Sequence, residues 1–505
     1  KKKQKDINLV LINYCKDFSK FIIDYLEKKN INHLILIDVV KPRSNINFTI
    51  DFFNAEQLAL GNYPNSNIIL DHLRTQQLKD NFELESIVLD MLMRGEKPSK
   101  IYNSNKSLIN DDSFDLSLVK NNLSYEERRN IYKKHLKFWV SALRKRKINC
   151  FFSLSSPHIV YDFIPFYLCN KNNIPSIFTE QNKYNGFRVP RDSLDCDMKE
   201  LICKFKALKK EKKKVKLSDL GEKYILKMSQ KKMKPIYYNK AQHQKEGFPD
   251  IKTEPFVIFL LRILKNATDK KKVKFFIQRR LIQSAFLKST KYLKNYYESL
   301  CVSNVKDKNF IFLPLHYQPE STTSPFGQLF SDQKFFIEEV LDLAKKNNYK
   351  LVVKEHPTQK KTGRDLYFYK EFENLKEISF VSSSYDQYEL IRNCKAIATI
   401  TGTAGWEGIF YGKPVLCYGS SFLKHAPGVF DVKQESDHKN IQDFIINYEK
   451  PTIDDIKLFF KAVELTSIKA FIVGEFEKIG MQMDENGFKK SVNSFLDYFF
   501  DYASV

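Results

Sequence analysis

The chain has 505 residues, 43% of them hydrophobic and 28% charged, which excludes a disordered polymer and exceeds one ordinary core, so two domains are expected. A net charge of +23 favours polyanionic partners, whether nucleic acid, an anionic membrane surface or an acidic glycan, without choosing among them. The eight cysteines form no Cys-x-x-Cys pair and no Cys/His cluster of zinc spacing, and they read as buried free thiols of a reducing compartment.

No secretory signal is legible behind Lys1-Lys2-Lys3. The longest apolar run follows Pro255, is cut by Arg262 and is too short to span a bilayer. A cytoplasmic protein is therefore expected. Ile7 to Asn13 reads as a buried parallel strand, Phe18 to Lys29 as an amphipathic helix and His33 to Asp38 as the next strand. The turn after the first strand has no glycines, so the dinucleotide fingerprint is absent and NAD is not expected. Residues 50 to 145 read as mostly helical. Ser124-Tyr-Glu-Glu127 looks like a capping box that opens a helix to about Lys147. Strands follow at Cys150 to Leu154 and Ile174 to Thr179, with a helix from Val160 to Asn170 between them. A basic middle then begins, with eight lysines between Lys204 and Lys216 and a second basic stretch from Lys270 to Lys294. Solvated helices explain it most simply. The sharper reading is peripheral contact with an anionic membrane through residues 204–294. No nucleic acid is expected, because no RNA or DNA module accompanies the charge.

A second α/β segment reads as strands at Asn309 to Leu315, Lys350 to Lys354, Ile378 to Val381, Ala396 to Ile400 and Pro414 to Tyr418. Helices are expected at Gln333 to Asn347, Tyr385 to Asn393 and Gly405 to Tyr411, and a mainly helical tail from Asp454. Its polar motifs fall at the carboxyl ends of strands, the ligand-binding edge of an open α/β sheet. Thr401, Gly402, Thr403, Ala404 and Gly405 give a tight turn into a helix whose N-terminus suits a phosphate. Glu407, expected in that helix's first turn, could accept from a ribose diol. In Lys354-Glu355-His356-Pro357 the proline biases His356 away from helix and towards the crevice, where it could donate to a phosphate or a sugar carboxylate, with Lys354 adding charge. The loop from His316 to Thr323 holds Gln318 and Glu320 and is dense in groups that read a base or a sugar. In the first half, Glu180 at a strand end is a candidate base or nucleophile, with His158 and Arg188 on the acceptor side.

Leu315-His-Tyr-Gln-Pro-Glu320, Val353-Lys-Glu-His-Pro357 and Thr401-Gly-Thr-Ala-Gly-Trp-Glu407 resemble strings of the bacterial capsular polysaccharide biosynthesis proteins related to the 3-deoxy-D-manno-octulosonic acid (Kdo) transferases of capsule export. The resemblance implies a GT-B fold and a CMP-activated sugar donor. It aligns His356 and Pro357 with that family's His-Pro motif. It aligns Gln318 to Thr322 with a Gln-x-Asp-x-Ser motif, Glu320 standing for Asp and Thr322 for Ser. Glu407 followed by Gly412-Lys413-Pro414 also resembles GT-B enzymes that use UDP-sugars.

The expected architecture is α/β of the GT-B kind, two Rossmann-like domains facing a cleft. Its parts are an acceptor-side domain over 1–203, a basic helical segment over 204–307, a nucleotide-sugar domain over 308–453 and C-terminal helices over 454–505. The expected activity is metal-independent transfer of Kdo or a related acidic sugar to a capsule or lipopolysaccharide-type glycan or glycolipid at the inner face of the cytoplasmic membrane. Catalysis falls to Glu180, His356 and Glu320, with no cofactor beyond the nucleotide sugar. Three alternatives use the same scaffold: a UDP-sugar enzyme, an epimerase or a polyol-phosphate transferase. A non-catalytic glycan-binding protein is the fourth.

Overall fold

The computed structural model describes residues 6–63, 68–70, 72–94, 123–184, 186–211, 214–230, 255–318, 320–357, 359, 364–433, 437–472 and 484–503. The first sheet contains β1 (Ile7–Ile12), β2 (Ile31–Asp38), β3 (Thr49–Asn54), β4 (Cys150–Ser153), β5 (Ser176–Gln181) and β6 (Arg188–Arg191). Their order is β3-β2-β1-β4-β5-β6, parallel throughout except for the antiparallel β5–β6 pair. Leu9 to Ile12 and Leu34 to Ile37 are buried on both faces, which is why these strands are unbroken apolar runs. Phe18 and Ile22 pack one face with Phe495 and Phe499 of the Glu485–Ala503 helix, so the end of the chain returns to the first domain. Tyr132, Trp139 and Phe163 cover the other face. The Tyr125–Lys145 helix opens on the expected capping box, Glu127 N donating to Ser124 Oγ at 3.2 Å and Ser124 N to Glu127 Oε2 at 2.7 Å.

β3 lies inside the stretch read as helical. Asp51 hides it by interrupting an otherwise β-branched and aromatic run. The carboxylate is tolerated there because His33 Nε2 lies 2.9 Å away and Arg146 Nε donates at 3.1 Å.

The second sheet contains β7 (Cys301–Val302), β8 (Phe310–Pro314), β9 (Lys350–Lys354), β10 (Ile378–Val381), β11 (Ala396–Thr399), β12 (Val415–Cys417) and β13 (Val429–Asp431). It is parallel throughout, in the order β13-β12-β11-β8-β9-β10-β7. Counted from β1 in one sheet and from β8 in the other, both run 3-2-1-4-5-6, and β7 adds an edge to the second. Each is a doubly wound sheet with a topological switch point, at β1/β4 and at β8/β11, where the flanking loops diverge and leave a crevice. Two such domains facing across a cleft make the GT-B arrangement.

The Lys199–Glu211 helix packs on the Ile453–Leu465 helix, with Phe205 edge-on to Phe459. Lys204, Lys206, Lys209 and Lys210 are exposed, so this lysine run is the solvated face of a packed helix. Lys212, Lys213 and residues 231–254 of the basic middle lie outside the described residues. All eight cysteines are free; six are buried, Cys301 is half-buried and Cys203 is exposed.

Arg191 ties the domains together. Its guanidinium pairs with Glu180 and donates to Ser420 Oγ at 2.6 Å and to the Leu194 carbonyl at 2.7 Å. It also lies against the rings of Phe178 and Phe326, at 5.3 and 4.9 Å. Arg191→Leu strands these acceptors. It is expected to lower stability by about 3 kcal/mol, read as a shift of the urea midpoint, with the far-UV spectrum unchanged below the transition.

Candidate functional site

The loops after β8 and β11 meet at the switch point through His316. Its Nε2 accepts from Thr401 N at 3.2 Å and lies 3.2 Å from Thr399 Oγ1, which itself accepts from Gly402 N at 3.0 Å. Accepting at Nε2 puts the proton on Nδ1, which is buried with no partner among the described residues. Burial, aided by Arg364, pushes the imidazole down to about 3, so it is neutral at working pH. Gly402 is required at this approach. A Cβ there would lie 2.7 Å from His316 Nε2 and 2.9 Å from Thr399 Oγ1. Thr401 Oγ1 donates to the Thr322 carbonyl at 2.8 Å, joining the turn to the Glu320 loop.

The helix that follows is Thr403–Tyr411, nine residues long, with Gly402 as an N-cap that has no side chain to cap it. Thr403 is exposed and Ala404 is buried. Gly405 and Gly408 let the helix sit on the sheet: a Cβ would fall 2.6 Å from Leu423 Cδ2 and 2.5 Å from Ile397 Cδ1, respectively. Gly412 ends it in the left-handed region at φ +70°. The helix starts two residues earlier than expected, so Glu407 lies in its second turn rather than its first. Its carboxyl is buried, accepting from Gln387 Nε2 at 2.5 Å and Tyr388 Oη at 3.3 Å. Burial pushes it up to about 7 against these bonds and the charge of Lys354. Lys354 ends β9 with Nζ donating to the Ser383 carbonyl at 2.8 Å, and burial lowers it to about 8.

A second lock holds the β9 loop. Glu355 is fully buried against Arg364, whose Nε donates to Oε2 at 3.0 Å, while Tyr369 Oη donates to the same oxygen at 2.5 Å. The rest of the Arg364 guanidinium reaches Gln318 Oε1 and, at 3.0 Å, the His316 carbonyl. Gln318 Nε2 donates to the Ser331 carbonyl at 2.7 Å. The Gln318 amide therefore holds the loop together and does not face a ligand. His356 is half-buried beside the Tyr317 ring at 5.6 Å, and Pro357 turns the chain after it. Burial, with Lys354, His316 and Arg364, lowers the His356 imidazole to about 3, so it is a neutral donor. Glu320 is exposed and accepts from Thr322 Oγ1 at 3.2 Å; Pro319 lies outside the described residues. Arg364, Tyr369, Gln387 and Tyr388 belong to no motif, and sequence reasoning misses them.

In the first domain Glu180 is drawn to the second domain's Ser420 loop through Arg191. Nearby Lys183 lies 5.9 Å from the Trp406 ring and is lowered by burial to about 8, with Glu180 opposing. Arg188 is buried, its Nε donating to Thr179 Oγ1 and its Nη2 to the Leu154 and Thr179 carbonyls, so it braces β4 and β5 rather than facing an acceptor. His158 Nδ1 lies 2.6 Å from the Ser156 carbonyl. Next to it, Asp162 is buried, bonded by Tyr14 Oη, and pushed up by burial to about 6. Tyr14 follows β1 and Asp162 follows β4, so this pair occupies the first domain's switch point.

Asp195-Cys196-Asp197 has the Asp-x-Asp spacing of metal-dependent transferases. With Asp192, Glu200 and Tyr498 it lines a cavity of about 860 Å³ at the amino-terminal edge of β5, away from both switch points. Among the described residues no group of three or more His, Cys, Asp or Glu side chains could hold a metal ion, and no helix is long and apolar enough to cross a membrane.

Residues 279–468 match the family described as capsule polysaccharide biosynthesis protein. No curated protein matches the chain. Among solved structures it is similar to KpsC β-Kdo 2,7 transferase of Thermosulfurimonas dismutans, with 11% identity over 71% of this chain and 88% of that one and a TM-score of 0.29. The β-Kdo 2,4 transferase of the same organism gives 10% identity over 68% and 87%, with a TM-score of 0.28. UDP-GlcNAc 2-epimerase of Neisseria meningitidis gives 12% identity over 98% and 100%, with a TM-score of 0.24.

The raised Glu407 carboxyl makes stability depend on pH. The folded chain keeps a proton that the unfolded chain gives up near the usual 4.5. Its contribution is complete below about 4.5 and is lost as pH rises through about 7, worth about 3 kcal/mol over that window. Glu407→Gln removes that dependence. Its melting temperature relative to the parent is expected to climb from pH 5 to about pH 7 and to level off by pH 8; an offset that is constant across this range refutes the assignment.

Proposed function

We propose that this chain, which over residues 279–468 belongs to the capsule polysaccharide biosynthesis protein family, is a metal-independent glycosyltransferase. It moves Kdo or a related acidic sugar from a CMP-linked donor to a surface glycan or glycolipid. The observation that carries this reading is the β8/β11 switch point. An uncapped helix N-terminus after β11 and, on the other side of β8, the buried Lys354 and neutral His356 at the end of β9 flank it. This set stabilises a leaving phosphate. The positive dipole end of the Thr403–Tyr411 helix faces its oxygens, His356 donates to phosphate or sugar carboxylate, and Lys354 supplies charge in a low-dielectric setting. Glu407 lies buried behind the turn with both oxygens accepting, from Gln387 and Tyr388, and it would serve a ribose only by giving up one of these bonds. Glu320 is the exposed carboxylate of the adjoining loop, suited to act as nucleophile or base towards the anomeric carbon or the acceptor hydroxyl. Glu180 approaches from the other domain, with His158 on the acceptor side. The acceptor lies at the inner face of the cytoplasmic membrane, reached by peripheral contact through the basic residues within 204–294.

A thermal-shift series with CMP, UDP and CDP tests the donor. CMP is expected to raise the melting temperature in proportion to occupancy, and Gly402→Ala to abolish the rise by displacing His316. Transfer from CMP-Kdo is expected to survive EDTA. It should fall at least about a hundredfold in His356→Ala and in Glu320→Gln. A shift with UDP alone moves the reading to a UDP-sugar enzyme, and no shift with any of the three overturns it.

A further inference from the structure

The Phe256–Lys265 helix has no buried residue although it is almost wholly apolar, Phe-Val-Ile-Phe-Leu-Leu-Arg-Ile-Leu-Lys. Five of its six exposed large apolar side chains fall along one arc, Phe256 59%, Val257 66%, Leu260 42%, Leu261 59% and Leu264 70%, while Ile258 at 49% lies outside it. At 100° per residue they cover about 140° of the helix circumference. Phe256 at the edge of that arc, with Phe259 and Arg262 outside it, meets the neighbouring helix, Lys270–Leu300. Arg280 lies over the Phe256 and Phe259 rings at 5.2 and 4.5 Å, and Arg262 over the Phe276 ring at 5.4 Å. The pair is thus a helical hairpin with a positioned apolar ridge. Among the described residues its long arm joins the core of the second domain through Leu293 and Tyr297.

We propose that this hairpin docks on an anionic lipid bilayer, the Phe256–Lys265 helix lying in the interface with its ridge among the acyl chains. This rests on the peripheral-membrane part of the reading above and moves the contact away from the lysine run at 204–211, which is a solvated helix face. Charge selects the occupant. Residues 256–300 carry eleven Lys and Arg against two acids, Asp269 and Glu298. A second copy of the hairpin would bring like charges together, whereas anionic headgroups meet the cations while the tails receive the ridge. Length selects the mode: ten residues reach about 15 Å, half of a hydrocarbon core, so the helix lies in the plane and does not span. Apolar insertion also explains why the exposed residues are large and contiguous, which a purely electrostatic contact does not require.

Flotation with phosphatidylglycerol vesicles and with phosphatidylcholine vesicles, at low and high salt, tests the proposal. The full chain is expected to float with phosphatidylglycerol, to bind phosphatidylcholine more weakly, and to retain part of its binding at high salt. Leu261→Ser/Leu264→Ser should lower the partition coefficient at least about tenfold at every salt concentration. Lys204→Gln/Lys209→Gln should change it less than about twofold. The CMP thermal shift of each variant, unchanged from the parent, separates failure of docking from failure of the donor site. Equal flotation of parent and Leu double variant overturns the proposal. So does a dimer in lipid-free buffer that the Leu substitutions convert to a monomer, because the ridge is then a contact between copies.

Discussion

The buried Glu355–Arg364 pair is the constraint on which the candidate site rests. Neither side chain is exposed, so the charges would be expensive to bury were they not shared among several partners. Glu355 takes bonds from Arg364, Tyr369 and the His356 amide, and Arg364 carries its other nitrogens to Gln318 and to the His316 carbonyl. One guanidinium thereby sets the β8 loop against the β9 loop. His316 then sets the β8 loop against the β11 turn. The three strand ends that frame the crevice are fixed by two polar side chains, each buried where a change of rotamer would leave several groups unpaired.

The electrostatics of the crevice follow from that burial. His316 and His356 are held neutral, while Lys354 and Glu407 are both pulled towards their neutral forms, to about 8 and about 7. A site poised in this way has little fixed charge of its own and several protons near their transition. A phosphate bound as proposed would keep Lys354 charged and would face the dipole of a helix already in place.

Much of this was legible in the chain. Parallel strands buried on both faces are apolar runs, and β1, β2, β8, β9 and β11 stand out for that reason. His356-Pro357 and the Gly402 to Gly405 turn are visible because a strand end demands local chemistry: a proline to direct the chain and glycines for close approach. What stays hidden is long-range. Asp51 breaks the pattern of β3 because its partners, His33 and Arg146, come from distant segments. Arg364 lies 48 residues from His316, and nothing local marks it as the partner. Arg188 and Gln318 read as ligand groups because polar side chains near a strand end suit that role. Only their contacts reveal that both are turned inward to brace loops.

The same logic links the surface hairpin to the crevice. The Lys270–Leu300 helix that carries it ends in the second domain, where Tyr297 Oη accepts from Glu355 N at 2.9 Å and donates to the Val381 carbonyl at 2.5 Å. Glu298, the next residue, accepts from Ser383 Oγ at 3.0 Å, and Ser383 also receives the Lys354 ammonium. One helix therefore holds the β9 and β10 loops at one end and the apolar ridge at the other. From Lys270 to Tyr297 it runs about 40 Å at 1.5 Å per residue. A helix rooted by the side-chain hydrogen bonds of Tyr297 and Glu298 and by a buried leucine acts as a strut of set length. With the ridge in a bilayer, it would hold the crevice at a defined height above the headgroups, where a lipid-linked acceptor presents its sugar end and the lipid itself stays in the membrane.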